Sequence, residues 1–588
     1  MRKVLDEVLK DYQNLDLGVE DYTFTPPFMP LCHRWEALNN FGGTAVEPVL
    51  KQAASELIDF LTPTVASSVA SVAQTRATGK IAFADIWQIF APDTLVSTTF
   101  YGVQTTCCVT NYVKIPGTDD TPPSWKISMK FIDWNGERAG FSSTSMTINH
   151  YLGYRRVHSL QAFPLSFLED EATYRASMID RGKVFEQLRG YHFMNANGIK
   201  ISVEQNTPIR RPIAGRVCID AYAYYESCNI VKPDLKPLSE AEESQATDSG
   251  NTPATGCITD SGDGGSATGP EAPGDSKFLA IRDEDSKTAN RPMKRAENLQ
   301  PLTDDQRLLA TPWVRGFDLM SKQWCELRVD ELQPITWNDE AFDNLVLPGD
   351  EKQLAWEFVE AKNLPQSEQF DDFIVDKGRG LIILMFGPPG VGKTFTAEAV
   401  ADKARVPLYA MSAAELGTAP DAVEKALENA LGLCRMWNAM LLLDEADVFL
   451  GARNSDSIAR NELVAIFLRM LEYYQGTMFL TTNRIASIDP AFQSRIDLFL
   501  PYQNLSSVAR RQVWCNFIGR AGRDRFNVTD ESLDKLSQLP LNGREIKNLI
   551  KSAQLLSLKN GAKVSMERVY ALAERRVHAL EQAGESHD

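Results

Sequence analysis

One stretch limits what this chain can fold into more than any other: LIILMFGPPGVGKTFTAEAVADKA, residues 381–404. The apolar run LIILMF suits a strand buried on both faces. A Gly- and Pro-rich turn follows, then apolar residues at helical spacing. Gly387, Pro388, Pro389, Gly390, Val391, Gly392, Lys393 and Thr394 fit GxxxxGK[ST] between that strand and that helix. Glycines let backbone N–H groups wrap phosphate oxygens, and the positive helix end faces them. Lys393 is expected to bridge the β- and γ-phosphates of ATP, and Thr394 to place its hydroxyl on Mg2+. The pattern predicts an α/β P-loop NTPase, a parallel sheet with helices on both faces.

Two more apolar strands end in polar tips. AMLLLDEADVFL (439–450) ends in carboxylates. Asp444 suits Mg2+ coordination through water, and Glu445 suits polarising an attacking water. TMFLTTNR (477–484) carries Asn483 at its tip, placed to orient that water. DPAFQSRIDLFLPY (489–502) then offers Arg495 as an arginine finger for a neighbouring subunit, with a surface pair to Asp497 as the plainer reading. Such a finger contributes roughly 10³–10⁵ in rate. Arg484 is a weaker candidate. Arg544, in NGREIKN, is placed to reach the phosphates from a helical lid.

At 588 residues the chain is too long for one core. Residues 1–79 read as a mostly helical segment. Residues 80–231 read as an α+β N-terminal domain. Within it SWKISMKFIDW (124–134) and GRVCIDAYAYY (215–225) alternate as strands, NGERAG (135–140) is a hairpin turn, and 171–191 a helix. Residues 232–300 are rich in Gly, Ser, Thr, Pro and acidic residues, which reads as a flexible, disordered acidic linker. The ATPase core is expected over 301–501 and a helical lid over 502–588. REIKNLIKSAQLLSLKN places Ile546, Leu549, Ile550, Ala553 and Leu556 on one apolar face of that lid.

The motifs GPPGVGKT, LLLDEAD, TTNR, DPAFQSRID and GREIKN, in this order, resemble the AAA+ ATPase family. The wording is most similar to fungal-type AAA ATPases that carry an uncharacterised N-terminal domain. LPGDEKQL (347–354) and RNELVAIFLRMLEYYQG (460–476) carry that likeness, and IWQIFAPDTLV (86–96) and HSLQAFPLSF (158–167) extend it upstream. The resemblance implies ATP bound between subunits of a ring, usually a homo-hexamer, and chaperone-like remodelling of a protein client it does not name. Two departures stand out. The arginine segment is short and carries one arginine, which aligns with the second of the family's two. MSAAELGTAPDAVEKAL (411–427) corresponds to the segment that holds a substrate-gripping aromatic in threading members, and here Thr418 and Ala419 stand in the loop.

The remaining features narrow the class. A net charge of −17 disfavours a nucleic-acid partner. DEAD at 444–447 raises an RNA helicase, but TTN replaces a SAT-like motif and no second RecA-like domain follows. A nucleotide-gated scaffold with little turnover is the alternative to a hydrolase. Nine scattered cysteines without a CxxC pair fit a reducing compartment, with the cytoplasm expected and the nucleus as second location. No apolar run reaches the roughly 18–20 residues of a membrane span.

Overall fold

A computed structural model describes the chain except residues 11, 13–14, 16–17, 20–21, 45–46, 120, 205–206, 229, 239–298, 348–350, 363–378, 418, 452–457, 485–487, 561–562 and 586–588. The chain divides into two compact units. The first comprises Met1–Leu279, Arg295–Asp318 and Gln323–Gln333; Pro334–Asp588 belong to the second.

The first unit opens with helices, the longest being Pro48–Thr78, packed through Val4, Leu9, Leu38, Leu61 and Val65. Strand β1 (Lys80–Ala82) pairs with β6 (Tyr154–Arg156). Strands β2 (Leu95–Phe100), β3 (Val103–Ile115), β4 (Ser124–Trp134), β5 (Ala139–Asn149) and β7 (Phe163–Pro164) form an antiparallel sheet in the order β5-β4-β3-β2-β7. The period-two pattern of β4 buries Trp125, Ile127 and Met129 on one face. Its hairpin turn is held by the Asn135 side chain, whose Oδ1 accepts from the N–H of Glu137 (3.0 Å) and Arg138 (2.9 Å). Helix Glu171–Gln187 follows, capped by the Asp170 side chain.

A second antiparallel sheet holds β8 (His192–Glu204), β9 (Thr207–Ile219), β10 (Trp313–Asp318), β11 (Gln323–Arg328) and β12 (Leu332–Gln333) in the order β11-β10-β9-β8-β12. Strand β11 also pairs with β8, opposing Glu326 to Ile201.

Two sequence expectations change here. The alternating stretch 215–225 is not one strand: β9 ends at Ile219 and a helix spans Ala221–Cys228. Asp220 causes the switch, because its Oδ1 accepts from the Ala223 N–H at 3.0 Å as a helix cap. The ATPase core does not begin at 301, since β10 and β11 complete the sheet of the first unit. Most of the segment read as a linker lies outside the described residues. Its flanks nonetheless pack on one shared core, Leu238 on the near side and Leu299 and Leu302 on the far side. Leu238, Leu299 and Leu302 thus belong to the first unit, and from Pro334 onward the chain belongs to the second.

The second unit holds a parallel sheet of β13 (Leu381–Phe386), β14 (Leu408–Ser412), β15 (Met440–Asp444), β16 (Thr477–Thr482) and β17 (Leu498–Pro501), ordered β14-β15-β16-β13-β17. Ile383, Leu384, Met385, Leu441, Leu442 and Leu443 have no exposed surface, as strands covered on both faces require. Because β13 sits between β16 and β17, its carboxyl end opens beside those of its neighbours, where open α/β sheets bind ligands. Helices Ser507–Gly522, Asp530–Gln538, Gly543–Asn560 and Met566–Glu585 pack around Trp514, Leu536, Ile546 and Ala573. The apolar face of the third buries Ile546, Leu549, Ile550 and Ala553, but the stripe stops there: Leu556 is 44% exposed.

Candidate nucleotide site

The loop after β13 is shaped by close approaches. Gly387 has φ +142 and its N–H donates to Thr482 O at 3.2 Å. A Cβ there would lie 2.0 Å from Tyr502 O, so only glycine fits. At Gly390, with φ +79, a Cβ would lie 2.7 Å from the Asn542 side chain. The Gly543 N–H donates to Gly390 O at 3.1 Å, which seats the first turn of a lid helix on the loop. Gly392 precedes helix Lys393–Ala404, whose N-terminus faces into the loop.

Lys393 is the centre of the site and 8% exposed. Its Nζ donates to Gly387 O (2.6 Å), Pro388 O (2.8 Å) and Asn483 Oδ1 (2.8 Å). Burial pulls its pKa down; Asp444 and Asp447 act against that, and the Arg544 guanidinium adds to it. An ammonium held by neutral carbonyls in a partly buried loop is suited to exchange them for phosphate oxygens. Arg544, at the second position of helix Gly543–Asn560, is thus within electrostatic reach of Lys393.

Thr394 Oγ1 donates to Asp444 Oδ2 at 3.0 Å. The Thr481 hydroxyl donates to the other oxygen of Asp444 and accepts the Glu445 N–H at 2.9 Å. The Thr394 hydroxyl and the Asp444 carboxylate are hard oxygen donors side by side, a donor set that fits Mg2+. Glu445 stands at φ +55 with its side chain exposed, a left-handed conformation uncommon for a non-glycine residue. Its backbone bond to Thr481 helps hold that conformation.

The arginines divide. Arg495 does not pair with Asp497. It pairs with Glu472 and donates to Ala491 O at 2.7 Å. Asp497 accepts the Ile382 N–H at 2.7 Å, pinning the start of β13, and burial pushes its pKa up. Arg484 is exposed, and its backbone N–H donates to the Thr482 hydroxyl at 2.9 Å. In the loop without an aromatic, Thr418 lies outside the described residues, while Leu416 is buried and Pro420 opens the next helix.

Sequence reading missed Thr481, Thr482, Asp447 and the Tyr502–Thr396 hydroxyl pair (2.7 Å) that backs the loop. The doubled Thr before Asn483 was the available signal: a buried strand tip gains from hydroxyls only if they bond something.

Residues 383–503 match the family model "ATPase family associated with various cellular activities (AAA)", and residues 71–169 match a domain of unknown function, DUF7025. The chain is similar to an ATP-dependent zinc metalloprotease FtsH 3 of Sphaerobacter thermophilus, 29% identical over 34% of this chain and 44% of that protein. It is similar to the ATPase family AAA domain-containing protein FIGL1 of Arabidopsis thaliana, 30% identical over 32% of this chain and 28% of that protein. A 26S proteasome regulatory subunit 4 homolog of Schizosaccharomyces pombe is 28% identical over 34% of this chain and 48% of its own length. The chain thus spans less than half the length of these relatives. Among solved structures, a FIGL-1 AAA domain in complex with ADP aligns at TM-score 0.33 and 21% identity, over 40% of this chain and 83% of that one. The second unit of this chain carries an ATPase domain of the AAA+ family, and the first carries a domain of unknown function.

Proposed function

We propose that the chain binds Mg-ATP and hydrolyses it, and that it spends the cycle on remodelling a protein or protein complex as a ring oligomer, a hexamer as is common among AAA members. The observation that carries the reading is the convergence of three strand ends. Lys393 after β13 donates to Asn483 after β16 at 2.8 Å, and Thr394 donates to Asp444 of β15 at 3.0 Å. Lys393 and the loop N–H groups would hold the phosphates. Thr394 and Asp444 would hold Mg2+, which supplies positive charge against the phosphate oxygens when bound. Glu445 would polarise the attacking water, and Asn483 would orient it. Arg495 would act on a neighbouring subunit's nucleotide after leaving Glu472, and Arg544 would report nucleotide state to the lid. The client is a protein rather than a nucleic acid, given the net charge of −17. Among the described residues no helix is long and apolar enough to cross a membrane.

The test is Glu445→Gln in the full chain. ATP binding should persist while steady-state hydrolysis falls by roughly 10² or more. Unchanged turnover would sink the catalytic assignment.

A further inference from the structure

We infer that Asp447 is a positioning residue for Asn483, locking the tip of β16 to the tip of β15 so that the Asn483 amide faces the reacting centre; this rests on the hydrolytic reading above. Backbone pairing between β15 and β16 runs from Leu441↔Met478 to Leu443↔Leu480 and goes no further. Past that point one backbone bond and several side-chain bonds join the two segments. The Ala446 N–H donates to Thr481 O at 2.9 Å, and the Glu445 N–H to the Thr481 hydroxyl at 2.9 Å. Asp447 Oδ1 then accepts both the Thr482 hydroxyl and the Asn483 N–H, the latter at 3.3 Å. One carboxylate oxygen therefore grips the last residue of β16 and the residue after it.

The orientation of Asn483 follows. Its Oδ1 receives the Lys393 ammonium, which has donors only. The amide NH2 is accordingly turned away from Lys393. Held so, it can donate to a water or a phosphate oxygen beside the loop. Without Asp447, Asn483 would keep its bond to Lys393 but lose the backbone anchor that aims it. A misplacement of about 1 Å at a reacting centre can cost roughly 10²-fold in rate. A purely structural Asp447, favouring the amino end of a short helix, would instead leave Asn483 unaffected.

The experiment is a double-mutant cycle on the full chain with Asp447→Ala, Asp447→Asn, Asn483→Ala and the Asp447→Ala/Asn483→Ala pair. Asp447→Ala should lower kcat by roughly 10- to 100-fold with KM for ATP within about threefold. Asp447→Asn keeps a carbonyl acceptor and should recover most of the rate, and it serves should the alanine variant not fold. Adding Asp447→Ala to Asn483→Ala should change kcat by less than about twofold. Losses that multiply in the pair, or an Asp447→Asn variant as slow as Asp447→Ala, overturn the assignment. Should Glu445→Gln leave turnover unchanged, the hydrolytic reading fails by itself. The same four proteins are then compared by the Kd of a fluorescent ATP analogue, where coupled losses support the positioning role and additive losses overturn it.

Discussion

The sheets of the two units handle polar groups in opposite ways. In the second unit the strands are apolar along their length, and polar side chains gather at the carboxyl tips: Asp444, Thr481, Thr482 and Asn483. In the first unit charged pairs are buried within the strands. Lys200 of β8 meets Asp318 of β10 at 2.7 Å, and Arg315 of β10 meets Asp133 of β4 at 2.7 Å. The interior pairs satisfy one another and fix how strands and sheets lie together. The tip groups bond across strand ends around a loop whose lysine is held only by neutral acceptors. Position along a strand thus separates charges that build the fold from charges proposed to do chemistry.

The sharpest way to break that distinction is to remove one charge of each kind. Lys393→Ala should abolish tight ATP binding and lower kcat/KM by about 10³ or more, roughly 4 kcal/mol of transition-state stabilisation. Thermal unfolding of the first unit should not move. Nucleotide titration and steady-state hydrolysis on one preparation check both halves. A Lys393→Ala protein that retains its wild-type kcat/KM would remove the site from the loop.

Asp133→Ala is the counterpart. It leaves the Arg315 guanidinium buried without its bidentate partner, a loss that commonly costs about 3–5 kcal/mol. Glu326 lies 4.0 Å from Arg315 and can take over part of the charge, so about 3 kcal/mol is expected. Denaturant unfolding should show the loss in the first unit while kcat and KM for ATP stay near wild type. A fall in hydrolysis without a fall in stability would contradict the assignment of this pair to the fold.

The same distinction explains what could be read in advance. The loop at 387–394 and the carboxylates at 444–445 were legible because apolar strand, glycine turn and polar tip occur together in the chain. Contacts made by ordinary residues were not: nothing marks Glu472 as the partner of Arg495, because that pairing depends on tertiary approach, and the local cap at Asp220 was hidden by an apolar alternation that continues past it. The boundary at 301 failed for a related reason. Strands β10 and β11 lie beyond a long low-complexity stretch, and composition divides a chain there while sheet pairing does not.

Acid should separate the units next. His33 Nε2 donates to Trp87 O at 2.9 Å, so Nδ1 accepts the Tyr12 hydroxyl at 2.7 Å and the ring is neutral. Burial pulls its pKa from 6.5 down to about 4; the bond to Trp87 O opposes that, and Arg34 adds to it. The unfolded chain therefore binds the proton first as pH falls. Stability is fully present above about 6.5 and declines between there and about 4. By pH 5 the loss should reach about 2 kcal/mol. It should appear in unfolding of the N-terminal helices of the first unit, and a His33→Gln variant should lose that dependence. A wild-type protein with flat first-unit stability from pH 7 to 5 would contradict the buried neutral ring.

The smallest effect tests the lid, where two caps have the same chemistry and different surroundings. Thr529 caps helix Asp530–Gln538 by accepting the Ser532 N–H at 3.2 Å, and Thr529→Ala should cost about 1 kcal/mol. Asn542 and Glu545 cap the next helix reciprocally, at 3.0 and 2.9 Å, so Asn542→Ala should cost about as much. Only Asn542 lies over Gly390 of the phosphate loop. Asn542→Ala should therefore also raise KM for ATP, by about threefold, while Thr529→Ala leaves it unchanged. Equal stability losses with unequal KM would show that the lid cap belongs to the loop as well as to its helix; equal KM values would confine it to the helix.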